Sequence, residues 1–292
     1  MRYSVASVLE ACVRLVRRQD APRGGLVLGQ QVGEEAMERS WLIVPDFSRL
    51  DESAALAREY GAAFEYDDFY APEVYEDERE VERRIAGYLA LERDRSRDTL
   101  HGVFFDIKPN SRDSVIRQRS RALMRQSLAI AGRLGVRGVV FHSDIFGGLR
   151  LSTPPEAWLD SSEALFRELC AENPALDVWL ENTIEQEPDQ LVALAQRMAD
   201  VPNFALALDY AHASLSATDG AVWLRQMGPY VRHVHLNDND LYADRHWPVG
   251  KGSIDYPRFA ALAAEHIPGV PMLMEVRTLE DARTSLQAIT SL

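Results

Sequence analysis

Cysteine is almost absent: Cys12 and Cys170 are the only two in 292 residues, and neither sits in a Cys-x-x-Cys pair or beside a histidine-rich stretch. That usage argues against a disulfide framework and makes the cytoplasm the expected location. Long apolar runs are missing too. No stretch approaches the roughly eighteen uninterrupted apolar residues of a membrane span, so no membrane partner is expected. The arginine-bearing N-terminus (Arg2, Arg14, Arg17, Arg18) has a short helical pattern but no long apolar core or small-residue cleavage site before Asp20. It reads as a helical extension over residues 1–25, not as a signal peptide.

Positive charge is scarce, with 32 Lys and Arg against 45 Asp and Glu and a net charge of −13. Such a surface repels nucleic-acid phosphates and anionic membranes, so nucleic acid is not an expected partner and small-molecule chemistry is favoured. Neither a GxGxxG turn nor a Walker A sequence occurs, which argues against an open dinucleotide-binding or P-loop sheet. Internal repeats, low-complexity tracts and interdomain linkers are also missing, so one domain over residues 1–292 is expected. Oligomeric state is not fixed by anything in the chain, and a homo-oligomer is compatible with it.

What is present is a regular alternation of short β-rich runs with longer helical segments, the pattern of parallel strands joined by crossover helices. The expected strands are Leu26–Val32, Ala63–Tyr66, Leu100–Asp106, Gly138–His142, Asp177–Glu181, Phe204–Asp209, Val231–Leu236 and Val270–Val276. Amphipathic segments between them include Asp113–Leu134, Pro154–Cys170, Pro188–Asp200 and Tyr256–His266, with Ser111 and Asp189 near helix starts. Eight such units predict a single (β/α)8 TIM barrel of the α/β class. The charge-dense stretch Glu76–Asp98 reads as a solvated outer helix.

Barrels build their sites at the C-terminal ends of strands, and here those ends are polar. Apolar runs stop at Glu181, Asp209, His235 and Glu275. Carboxylates converging on one mouth cannot all stay ionised without a cation, and a divalent metal supplies it. Asp244-Arg245-His246 follows the seventh strand, ahead of a Gly250-Lys251-Gly252 turn. Arg245, Lys251 and Arg277 are local cations that could bind a phosphate or carboxylate, whereas Tyr70 and Trp247 could wall a sugar or simply cap the barrel. His233 is expected to point away from His235 and pack, and His266 to sit at a helix end; neither is expected in the site.

Taken in order, the segments VWLENT, LALDYAHA, VRHVHLNDND, ADRHWPVGKGSID and MLMEV resemble the xylose-isomerase-like superfamily, from about the second strand to the C-terminus. That superfamily contains sugar and sugar-phosphate isomerases and epimerases and the apurinic endonuclease IV family. The epimerase resemblance implies one Mn2+ or similar ion on Glu181, Asp209, His235 and Glu275, with Glu181 and Glu275 moving the proton and His212 touching substrate. The endonuclease resemblance implies up to three Zn2+ ions. His101, His142 and Glu181 would surround one, Glu181, Asp209, His235 and Glu275 a second, and His212, Asp244 and His246 the third. Read without the resemblance, His101 could line the barrel wall and His142 could hydrogen-bond a substrate. The expected activity is metal-dependent isomerisation or epimerisation of a small sugar or sugar phosphate. A multinuclear zinc phosphoesterase acting on a phosphate ester is the alternative, and a non-catalytic sugar- or metal-binding barrel the second.

Overall fold

The computed structural model describes residues 40–145 and 155–292. Eight parallel strands close in sequence order, with the first hydrogen-bonded back to the eighth. They are β1 Trp41–Ile43, β2 Ala63–Tyr66, β3 Thr99–His101, β4 Gly138–His142, β5 Asp177–Glu181, β6 Phe204–Asp209, β7 Val231–Leu236 and β8 Met272–Met274. The fold is a (β/α)8 barrel. Among the described residues, no helix is long and apolar enough to cross a membrane.

The first strand is not where the sequence pattern puts it. Leu26–Val32 and the 1–25 extension lie outside the described residues, and Trp41–Ile43 closes the barrel between β2 and β8. All three of its residues are buried. A strand this short, buried on both faces, has no alternation to detect. The expected third and eighth strands are also too long. Past His101 the chain leaves the ladder and reaches Asp106 at φ 57, so Gly102–Phe105 forms a loop wall despite its apolar character.

Helix ends follow local chemistry. Asp113 caps the helix Ser114–Leu134 by accepting from the amides of Val115 and Ile116, while Ser111 sits two residues further out and accepts from Asp113. The helix stops at Gly135, whose φ of 70 suits a residue without Cβ. Outward strand positions such as Phe64, Val139, Leu180 and Leu208 join the helices in one large apolar core. Inward positions make two small apolar clusters, Leu42 with Ala63 and Leu273, and Val140 with Trp179 and Ala207. The rest of the interior is polar, including Glu65, Thr99, His101, Glu181, His233 and His235, all buried.

Register brings the polar strand ends to one level: His142 is paired with Glu181, and Asp209 with His235. The start of β4 tolerates no side chain, because a Cβ on Gly138 would lie 2.6 Å from the Asp177 carbonyl and 2.9 Å from the Trp179 ring. Gly138→Ala is therefore expected to cost about 1–3 kcal/mol through overpacking. Thermal unfolding checks this, and an unchanged midpoint would contradict it.

Candidate metal centre

At the barrel mouth, Glu181, Asp209, His235 and Glu275 bring donor atoms within 4.8 Å of one another, and His101, Glu181 and His235 do the same. His235 Nδ1 is 3.3 Å from Glu181 Oε1 and 3.3 Å from Glu275 Oε2. The other oxygen, Glu181 Oε2, faces His101 Nε2 at 3.5 Å and His142 Nε2 at 3.4 Å. Two zinc bonds of about 2.0–2.1 Å at a tetrahedral angle set donor atoms about 3.3 Å apart, close to these separations.

Five buried atoms here have no hydrogen-bond partner: Glu181 Oε1 and Oε2, Asp209 Oδ2, His235 Nδ1 and Glu275 Oε2. Leaving such groups unmet is costly, and a shared cation meets all five at once. The residues present therefore fit a divalent ion, and the cluster is able to hold one.

The imidazoles are fixed from behind. His101 Nδ1 lies 3.0 Å from the Gly102 carbonyl, His212 Nδ1 3.0 Å from that of Asn182, and His246 Nδ1 3.0 Å from that of Glu275. A carbonyl only accepts, so each Nδ1 carries hydrogen and leaves Nε2 to act as a ligand. His212 Nε2 and His246 Nε2 lie 3.5 Å and 2.9 Å from Asp244 Oδ2. His212 also joins the inner group, with Nδ1 3.7 Å from both Glu181 and Asp209. All nine acids and histidines singled out in the sequence thus lie in one contact network.

The chain after β7 places Asp244 and His246. The buried Asp238 accepts from the amides of Asn239, Gly250, Gly252 and Ile254, and its backbone bridges to Trp247. A Cβ on Gly252 would lie 2.3 Å from Asp238 Oδ1 and 2.3 Å from the Asn239 carbonyl, so only glycine fits. The Gly-Lys-Gly turn is thereby accounted for by loop closure. His246 is held at φ 50, a conformation that costs a non-glycine residue energy and that the surrounding bonds enforce.

Burial and neighbouring charge set the protonation of the cluster. Burial pushes the Glu181 carboxyl up, but the facing imidazoles, His235 foremost with His101, prevail and hold it well below the usual range. Burial raises Asp209 despite the opposing pull of His212. Burial lowers His101, but Glu181 and Asp67 outweigh it and raise the imidazole to about 10; for His246, Asp244 and Glu275 do the same, to about 9. Burial takes His142 down to about 3, so it stays neutral.

A metal-binding imidazole must be neutral, so binding at neutral pH expels protons from the raised histidines. Divalent-ion affinity is expected to rise with pH from 7 toward 9, with net proton release, and to weaken as pH falls. Calorimetry in buffers of different ionisation enthalpy checks this, and a pH-independent affinity would contradict it. The metal-free fold runs the other way. Stability from the raised His101 is fully present below its unfolded value and is lost as pH rises through about 10.

The expected substrate-binding residues separate. Tyr70 packs on Phe104 at 4.5 Å, and Phe104 stacks on His142 at 4.8 Å, so Tyr70 belongs to an aromatic wall beside the cluster. Arg245 is engaged by Asp240 at 2.9 Å and lies 5.9 Å above the Trp247 ring, which is exposed. Lys251 and Arg277 are exposed, and neither lines the cleft beside the cluster. A cleft of about 450 Å³ opens beside His142, His212 and Asp244, walled by Phe104, Phe105, Ile184 and Leu215. No Lys or Arg lines it among the described residues; Lys108 lines a smaller adjoining recess.

Sequence reasoning misses several groups. Asn182 bonds both the amide and the carbonyl of Asp209, each at 2.9 Å, tying β5 to β6. Glu65 reaches two histidines from inside the barrel: His233 Nε2 is 2.8 Å from Glu65 Oε2, and His235 Nε2 is 3.0 Å from Glu65 Oε1. This corrects the reading of His233. Positions two apart on a strand share a face, so His233 and His235 both point inward. His266 lies at its helix end, as expected.

An eight-stranded barrel with buried carboxylates and imidazoles gathered at the C-terminal ends of its strands defines the class of molecule. The family of xylose isomerase-like TIM barrels matches residues 54–292, and the chain belongs to it. An uncharacterised protein of Methanocaldococcus jannaschii is 26% identical over 174 residues, covering 54% of this chain and 56% of that protein, so the chain spans little more than half the length of that relative. The fold is similar to that of a Thermus thermophilus protein, TTHB071, soaked with ZnCl2, with a TM-score of 0.67, 24% identity and coverage of 86% of this chain and 96% of that one. A D-tagatose 3-epimerase-like protein gives a TM-score of 0.68 at 21% identity, with coverage of 86% and 96%. The 3-keto-D-glucoside 4-epimerase YcjR of E. coli gives 0.60 at 17% identity, with coverage of 87% and 99%.

Proposed function

We propose that the chain is a divalent-metal-dependent isomerase or epimerase of a small sugar. The carrying observation is the pair Glu181 and Glu275, each 3.3 Å from the same nitrogen of His235, beside a cleft of small-molecule size. Glu181, Asp209, His235 and Glu275 would hold the ion, Mn2+ or Zn2+, which when bound would polarise the substrate carbonyl and so acidify the hydroxyl-bearing carbon beside it. One of the two glutamates removes that proton. Return by the same carboxylate to the neighbouring carbon, with the hydroxyl proton passing to the former carbonyl oxygen, gives an isomer; return by the other to the opposite face of the same carbon gives an epimer. Epimerisation therefore requires the second glutamate to arrive protonated, whereas isomerisation needs only one. His212 would bond a substrate hydroxyl, and Phe104, backed by Tyr70, would pack on the sugar.

The test is turnover of ketoses and aldoses by the metal-loaded protein in D2O. Metal-dependent deuterium incorporation at carbon is expected, and none across the panel would overturn the reading.

A second reading is supported by the wider network, because His101 and His142 meet the far oxygen of Glu181 and Asp244 joins His212 to His246. Nine donors could hold up to three zinc ions and hydrolyse a phosphate ester. Three ions per chain with phosphatase activity, and no sugar turnover, would favour it.

A further inference from the structure

The interior of the barrel continues below the candidate metal centre as a second polar cluster that the proposed chemistry does not use. Glu65, His233 and His235 are buried there, and Thr99 Oγ1 donates to Glu65 Oε2 at 2.5 Å. His235 belongs to both levels. Its Nδ1 faces Glu181 and Glu275, while its Nε2 lies 3.0 Å from Glu65 Oε1.

We propose that Glu65 is a positioning residue that fixes His235 in the tautomer bearing hydrogen on Nε2, so that Nδ1 presents its lone pair to the divalent ion. This rests on the reading of the upper cluster as a metal centre. A neutral imidazole has one N–H and one lone pair, and the choice between its nitrogens is set by what each faces. An ionised carboxylate oxygen at 3.0 Å repels a lone pair on Nε2 and attracts a hydrogen there. That holds even though the approach is out of line for a well-formed hydrogen bond. The negative charge would also raise the basicity of Nδ1, as carboxylates behind metal-binding histidines do.

The remaining contacts hold the carboxylate in place. Thr99 and His233 both approach Oε2, His233 at 2.8 Å, which leaves Oε1 turned toward His235. The His233 ring is itself fixed by a parallel stack on Trp179, with centroids 5.0 Å apart and planes 4° apart. The donor atoms of Glu65, His233 and His235 also lie within 4.8 Å of one another, but they are tighter than a tetrahedral zinc shell. Their nitrogen–oxygen separations of 2.8 Å and 3.0 Å fall short of the about 3.3 Å edge of a tetrahedral zinc site, whereas the upper separations reach it.

The experiment measures Zn2+ affinity by competition with a chelator, alongside long-range ¹H–¹⁵N spectra of the histidine rings in the zinc-loaded wild-type chain and in Glu65→Gln. In the wild type, His235 should bind through Nδ1 with hydrogen on Nε2. In Glu65→Gln, affinity should fall 10- to 100-fold and the fixed tautomer should be lost, with metal-free secondary structure retained. Wild-type spectra showing His235 bound through Nε2, or a second ion seated on Glu65, would overturn the proposal without any variant. So would a Glu65→Gln chain that keeps both its zinc affinity within threefold and the tautomer. Absence of zinc binding by the wild type would instead overturn the metal reading of the upper cluster.

Discussion

Glu181→Gln is expected to weaken divalent-metal binding more than 100-fold and to abolish turnover. Glu181 meets more of the cluster than any other acid: its oxygens lie within 3.7 Å of His101, His142, His212 and His235. Losing an outer partner of a metal ligand costs about 10- to 100-fold; losing a shared charged ligand should exceed that. The change also shows in stability. At a metal concentration 100 times the wild-type Kd, binding contributes about 2.7 kcal/mol, and a 100-fold weaker variant would gain only about 0.4 kcal/mol. For a chain of this size the difference lowers the metal-loaded Tm by roughly 4 °C. Calorimetric scans with and without Mn2+ or Zn2+ check this. A variant with unchanged metal-induced stabilisation would show that Glu181 is not a ligand.

Asp238→Ala should give the second large effect, through folding rather than chemistry. Its carboxylate accepts four backbone amides, from Asn239, Gly250, Gly252 and Ile254, at 2.9–3.1 Å. Bonds to a charged acceptor contribute about 1.5–3 kcal/mol each, and amides in an opened loop recover part of that from water. A net loss of about 3 kcal/mol is expected, with faster hydrogen exchange at Gly250, Gly252 and Ile254. Asp238→Asn should lose less, since one oxygen remains. Because Asp244 and His246 ride on this loop, both variants should weaken the outer part of the metal network more than its centre. A loss below 1 kcal/mol with unchanged exchange would contradict this account of the loop.

Most of this architecture is legible in the chain because parallel strands and crossover helices leave different periodicities. β2, β4, β5, β6 and β7 fall where their apolar runs predict. Trp41–Ile43 escapes because three residues buried on both faces carry no period, and the apolar Gly102–Phe105 misleads because its side chains are spent on a wall beside the site. The upper cluster is readable because Glu181, Asp209, His235 and Glu275 fall where apolar runs stop. Glu65 is harder to see, since it interrupts a strand instead of ending one. His233 is misplaced by a slip in parity rather than by missing information. Asp238 has no signal of its own in one sequence: its role appears only when the loop folds four amides around it.

The measurement closest to the central claim is the metal content of the wild-type chain after loading with Mn2+ or Zn2+ and dialysis against metal-free buffer. The account predicts at least one ion retained per chain, held by Glu181, Asp209, His235 and Glu275 and lost in Glu181→Gln. A single ion would favour sugar chemistry and three would favour phosphoester hydrolysis. A wild-type chain that retains no divalent ion under these conditions would contradict the assignment of the barrel mouth as a metal centre.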